Sequence, residues 1–249
     1  MIRILLSGCG GRMGRAVSAY CANSEEFTVA AGVDPAAPEC PYPVYASFER
    51  VNTPCDVIVD FSFHAAVSEL LDYAVKQNCP AVIATTGFTE DELEKIGAAS
   101  EKIPVFRSAN MSIGVNLLCR LCKEAAMLLP DFDIEIIEKH HNQKVDSPSG
   151  TALMIADQMR SVLPEEMHYT FGRHGIVGKR DPKEIGIHAI RGGTVVGEHE
   201  VLFAGFQETL TITHTMLSRE VLASGAVCAA RFLVDQKTPG LYGMDDMLS

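Results

Sequence analysis

Runs of largely continuous apolar character recur through the first 110 residues, among them IRILLS, DVIVDF and AVIAT, and stretches with a three-to-four-residue apolar period separate them. A strand buried on both faces reads as such a run, and helices between such strands imply a parallel sheet covered on both sides. The pattern predicts strands at 2–7, 28–33, 56–61, 81–85 and 105–107, with helices at about 11–21, 65–77 and 90–99. This is a doubly wound α/β arrangement.

After Asn110 the pattern changes. A helix at about 115–129 precedes a strand at 132–138, a polar loop and a helix at 151–163. Then GIHAIRGG, TVVGEHEVLFAG and ETLTITHT alternate polar and apolar residues between glycine-rich turns, which predicts antiparallel strands with one buried face. A last helix, at about 219–234, has the period of a core element and is expected to return to the first sheet. The expected organisation is a dinucleotide-type domain from residues 1–110 and 217–249, with an α+β substrate domain inserted at 111–216.

The 249-residue chain carries a net charge of -11, and no run of Lys or Arg appears. A nucleic-acid partner would need a basic excess, so that class is excluded, and an anionic substrate must be met by a local basic pocket. Met1 is followed by only a short apolar run before glycine, neither a signal peptide nor a membrane span, so the expected location is cytoplasmic with no membrane partner. Eight cysteines scattered among apolar residues are expected to be reduced core thiols. The pair Cys119 and Cys122 lies inside a helical stretch and reads as two small buried hydrophobes; no metal is expected.

Two stretches carry chemistry. The first strand leads into SGCGGRMGRA, with Gly8, Gly11 and Gly14 in GxxGxxG spacing. Glycine lets backbone turn tightly against a pyrophosphate, and the helix that follows offers N–H groups and a positive dipole end. Asp34 closes the second strand, where a carboxylate meets the adenosine ribose hydroxyls. Such a carboxylate repels a 2'-phosphate, and residues 35–37 supply no cation, so NADH is favoured over NADPH, a modest lean because Arg12 and Arg15 of the glycine turn are placed to reach round. Thr85-Thr86-Gly87-Phe88 and Ser108-Ala109-Asn110-Met111 follow two further strands at the edge where such sheets bind ligands.

The second stretch is EKHHNQKVDSPSGTA, residues 138–152. His140 and His141 end a strand and point to opposite sides, so they do not chelate one metal. Lys144 lies four residues after His140, and Ser149 caps a helix beginning with Gly150 and Thr151, whose N–H groups suit a carboxylate. Together they fit reduction of an anionic acceptor, with Lys144 and the helix start holding carboxylates while an imidazole or ammonium gives a proton. Two other readings remain open at this stage: a different two-domain NAD(P) oxidoreductase, and a non-enzymatic nucleotide sensor on the same fold.

GCGGRMGR, ATTGF, SANMSIGVN, EKHHNQKVDSPSGTA, IRGGTVVGEHEVLF and ITHTMLSR together resemble the 4-hydroxy-tetrahydrodipicolinate reductase (dihydrodipicolinate reductase) family of lysine and diaminopimelate biosynthesis. The resemblance implies a Rossmann-type doubly wound sheet with an inserted substrate and oligomerisation domain, a homotetramer, a small dicarboxylate substrate, and NADH or NADPH as hydride donor. It places cofactor contacts on Gly8, Cys9, Gly10, Gly11, Arg12, Met13, Asp34, Ala84, Thr85, Thr86, Ser108, Ala109, Asn110 and Met111. It places the proton donor on His140, with Lys144 as second donor and carboxylate partner, and substrate contacts on His141, Ser149, Gly150 and Thr151. Pro35 follows Asp34 where members accepting NADPH often have Arg.

Overall fold

A computed structural model describes residues 1–163 and 166–249. The chain divides into two units, one formed by Met1–Ile113 with Glu220–Ser249 and the other by Gly114–Arg219. In chain order the first segment contains β1 (Ile2–Ser7), α1 (Arg12–Ala22), β2 (Phe27–Val33), β3 (Val44–Tyr45), β4 (Val57–Asp60), α2 (Val67–Gln77), β5 (Ala81–Ile83), α3 (Glu90–Ser100) and β6 (Pro104–Arg107). Then come α4 (Ile113–Leu128), β7 (Asp133–His140), α5 (Gly150–Arg160), β8 (His168–Phe171), β9 (Glu184–Arg191), β10 (Gly197–Gly205) and β11 (Glu208–Met216). The chain closes with α6 (Glu220–Val234), β12 (Gly240–Tyr242) and α7 (Met244–Met247).

The first unit is a parallel sheet in the order β12-β6-β5-β4-β1-β2-β3. Its central strands are mostly apolar because both faces are covered, with polar residues such as Arg3, Asp60 and Arg107 near strand ends. Ile4 and Leu6 pack on one side with Val17 of α1 and Ala226, Val227 and Ala230 of α6, while Leu5 packs on the other with Leu70 and Ala74 of α2 and Ile96 of α3. The last helix thus returns to the first sheet, and the small residues of α6 let it lie close. A Cβ on Gly225 would sit 1.7 Å from the Met111 carbonyl oxygen.

The second unit is a five-stranded sheet in the order β11-β10-β7-β9-β8. Ile134 and Ile136 of β7, Ile185 and Ile187 of β9, and Val201 and Phe203 of β10 face α4 and α5 across one core. Cys119 and Cys122 are buried in that core, and all eight cysteines are free thiols. One expectation from sequence is corrected here. β10 pairs antiparallel with β7 and β11, but β9 runs parallel to both β7 and β8. Alternation reports a half-buried face and says nothing of direction; α5 lies on the return from β7 to β8, and the segment 172–183 returns the chain again to β9, so all three run in the same sense.

Two helical glycines test this packing. Gly225→Ala is expected to destabilise by on the order of 3 kcal/mol, because its methyl meets backbone that cannot swing aside. Gly97→Ala on α3, where nothing lies within 4 Å of the added Cβ, is expected to stabilise by roughly 0.5–1 kcal/mol. Urea unfolding of the two variants checks both signs, and a neutral Gly225→Ala would contradict the close approach.

Candidate active site

In the first unit β1 has β2 on one side and β4 on the other, so connections diverge at β1 and β4 and leave a crevice at their carboxyl ends. Gly8 leaves β1 with φ 76°, and a Cβ there would lie 2.7 Å from the Phe61 carbonyl oxygen. A Cβ on Gly14 would lie 2.2 Å from the Gly8 carbonyl oxygen, so both positions need glycine to draw α1 against the turn. The N-cap of α1 is Gly11, whose helix start receives no side-chain cap. Its first-turn N–H groups and dipole suit a phosphate.

Asp34 stands just beyond β2; its Oδ2 accepts from Gly10 N at 2.9 Å and its Oδ1 from Ala36 N at 3.0 Å. Arg12 is exposed, Met13 packs partly on the core, and Cys9 is buried with its thiol against Gly32. This turn therefore presents backbone more than side chains. Ala84, Thr85 and Thr86 follow β5, and Ser108, Ala109, Asn110 and Met111 follow β6, at the same end of the sheet. The Thr85 hydroxyl donates to buried Asp60 at 2.7 Å, bracing the loops after β4 and β5, while Thr86 and Ala109 are exposed. The Ser108 hydroxyl donates to Asn110 O, and Met111 is a core residue. A glycine turn, an uncapped helix start and a carboxylate one strand away fit a dinucleotide.

In the second unit the strand β7 ends at His140, beside a buried carboxylate. Glu138 accepts from His140 Nδ1 at 2.6 Å, from both terminal nitrogens of Arg191 at 2.7 Å, and from Ser149 N at 3.0 Å. Ser149 caps α5 by accepting from Ala152 N at 3.1 Å, and its hydroxyl lies 3.0 Å from His199 Nε2. The His199 ring meets that of His140 edge to face, with centroids 5.2 Å apart. Lys144 Nζ is 2.8 Å from exposed Asp146. Nothing lies within 4 Å of a Cβ placed on Gly150, which leaves room for an anion at the helix start. His141 lies 3.3 Å from Arg219 Nη2, and both line an open pocket of about 480 Å³ with Asn142 and Gln143.

Burial is the largest influence on both inner imidazoles. It lowers the proton affinity of His140, with Lys144 and Arg191 adding to the effect and Glu138 opposing it. It pushes His199 down to about 4. This cluster of the second unit joins a fixed neutral imidazole, a lysine and a helix start, a set able to hold a carboxylate and exchange a proton beside it.

Residues 2–111 match the family model "Dihydrodipicolinate reductase, N-terminus" and residues 114–248 match "Dihydrodipicolinate reductase, C-terminus". The chain belongs to the dihydrodipicolinate reductase family. The 4-hydroxy-tetrahydrodipicolinate reductase of Caldanaerobacter subterraneus subsp. tengcongensis is 53% identical over 248 residues, 100% of this chain and 98% of that protein. That of Clostridium tetani is 47% identical over 251 residues, again 100% and 98%. The dipicolinate-bound dihydrodipicolinate reductase of Paenisporosarcina sp. TG-14 superposes with a TM-score of 0.84 at 28% identity, covering 99% of each chain.

Membership in the dihydrodipicolinate reductase family accounts for the two-unit plan but not for the residues that sequence reasoning missed. Glu138, Arg191 and His199 were not singled out, although all three lie in stretches that carried the resemblance. Strand alternation offered one signal, since Glu138 is two residues before His140 and shares its face.

His199 sets a pH dependence. Its unfolded pKa is about 6.5, so as pH falls the unfolded chain takes up a proton that the folded chain refuses until about 4. Stability present above pH ~6.5 is therefore lost on the way down to about 4, by on the order of 3 kcal/mol. Urea unfolding across this window, wild type against His199→Gln, is expected to show a flatter profile in the variant; parallel profiles would remove His199 from the account.

Proposed function

We propose that the chain reduces 4-hydroxy-tetrahydrodipicolinate to tetrahydrodipicolinate, in lysine and diaminopimelate biosynthesis, using a reduced nicotinamide dinucleotide. The first unit is the dinucleotide domain and the second the substrate domain. The observation that carries the reading is the grouping of His140 and the start of α5 around one buried carboxylate, with Lys144 close enough to act electrostatically on the His140 imidazole.

A reduced nicotinamide held by the first unit would supply the hydride for the ring carbon conjugated with the substrate's imine, water having left the 4-position. The Ser149, Gly150 and Thr151 segment takes one substrate carboxylate at the start of α5, where the open side of Gly150 permits close approach. Lys144 exchanges its exposed partner Asp146 for a substrate carboxylate, and His141 contacts the substrate from the adjoining pocket. His140, its Nδ1 hydrogen held by Glu138, takes up a proton on Nε2 once the dicarboxylate is bound and gives that proton to the enamine that hydride addition leaves.

Gly8 to Met13 would hold the pyrophosphate of the dinucleotide, and Ala84 to Thr86 with Ser108 to Met111 would supply its other contacts. Asp34 takes the ribose hydroxyls, and its charge disfavours the 2'-phosphate, which makes NADH the preferred donor and NADPH the alternative. The protein assembles as a homotetramer through the sheet face opposite α4 and α5, which carries Ile137, Ile190 and Leu202. Among the described residues no helix is long and apolar enough to cross a membrane.

The test follows loss of reduced-nicotinamide absorbance while a coupled synthase supplies substrate. Wild type is expected to prefer NADH, and Asp34→Ala to shift the preference toward NADPH by on the order of tenfold. Lys144→Ala is expected to lower kcat/KM about 100-fold with NADH affinity within about twofold of wild type. No substrate-dependent oxidation with either donor would sink the reading; a large loss of NADH affinity in Lys144→Ala would move that lysine to the cofactor.

A further inference from the structure

The carboxylate of Glu138 has no exposed surface, and it belongs to no part of the site that touches substrate in the reading above. Its four donors are the Nδ1–H of His140, two N–H groups of Arg191 and the N–H of Ser149. A carboxylate has about four lone-pair positions, so all are filled. Burial pushes its carboxyl up, but these donors outweigh that and hold it below the usual range. An ionised carboxylate only accepts. His140 Nδ1 must therefore carry hydrogen, which leaves Nε2 as the ring atom that exchanges a proton. A Cβ on Gly197 would lie 3.1 Å from Nε2, so the glycine keeps that nitrogen clear.

Arg191 is fixed in turn, since it also donates to the carbonyls of Asp146 at 2.8 Å and Ile190 at 2.9 Å. Register brings it there, because His140 of β7 pairs with Arg191 of parallel β9. The Glu138 oxygens thus orient the imidazole and hold the first N–H before α5, while Arg191, bound to the same oxygens, grips the loop after Lys144.

We propose that Glu138 is the positioning residue for proton transfer, fixing the tautomer of His140 and tying it to the carboxylate-binding start of α5, and that Arg191 holds Glu138 in that role. The proposal rests on the reading that His140 supplies the proton. The charged or titratable groups facing His140 are Glu138 on its own strand, Lys144 on the following loop, Arg191 on β9 and His199 on β10. Only Glu138 among them raises its proton affinity.

Two measurements test this. Glu138→Gln keeps the shape and removes the charge; kcat is expected to fall about 100-fold with KM within about threefold. The basic limb of the kcat profile should move to lower pH, which a loss of packing alone does not produce. Arg191→Lys, which keeps the charge but loses the fork, should give a smaller change in the same direction. Independently of any variant's folding, NMR of the imidazole nitrogens in the wild-type protein, with the His140 signals identified by their absence in His140→Gln, should show hydrogen on Nδ1. Hydrogen mainly on Nε2, or a folded Glu138→Gln with wild-type kcat and pH profile, overturns the proposal while leaving an active wild type as support for the reductase reading. An inactive wild type overturns both.

Discussion

A charged carboxylate with no exposed surface must find enough donors inside the protein or it does not remain charged. Glu138 meets that condition through three elements at once, and much of the second unit's plan follows from it. Arg191 reaches it only because β9 runs parallel to β7; an antiparallel β9 in the same place would carry Arg191 to the far end of the strand. His199 lies directly across from it on β10, and Ser149 N arrives from the start of α5. The crossover that separates this sheet from a simple meander is thus the route by which one carboxylate gathers its partners.

The first unit answers to a different constraint, the close approach of backbone to backbone. Gly8 and Gly14 draw a strand end and a helix start within distances that no side chain tolerates, and Gly225 does the same between α6 and the Met111 carbonyl. None of these contacts is chemical in itself. They set where loops emerge from the sheet, and the loops after β1, β2, β5 and β6 then fall at one end. Dinucleotide recognition of this kind depends on bare N–H groups and one acidic side chain, so shape carries most of it.

How legible this was varied with the physics. Largely apolar runs marked β1, β4 and β5 because burial on both faces leaves few polar positions to blur them. The edge strands β3 and β12, of two and three residues, are too short to show a period. The direction of β9 was misjudged because alternation is the same for a strand run either way. In the site, His140, Lys144 and the Ser149 cap sit within one short stretch and were visible there. Arg191 and His199 come from strands 51 and 59 residues beyond His140, and only the sheet register joins them to it.

The electrostatic setting of His140 gives these partners a common purpose. Burial, Lys144 and Arg191 all disfavour its imidazolium, and Glu138 opposes them without prevailing. The ring is therefore neutral at rest, its hydrogen on the nitrogen turned away from the reaction. On the proposed reading, a dicarboxylate entering beside Lys144 and the start of α5 brings the negative charge that this balance lacks, and opposite charge within a few ångströms favours the protonated ring. Loading of the acid is then coupled to arrival of the molecule that needs it. Such coupling requires the imidazole and the anion cradle to keep a fixed relation, and a carboxylate shared between His140 Nδ1 and Ser149 N is a direct physical means of keeping it.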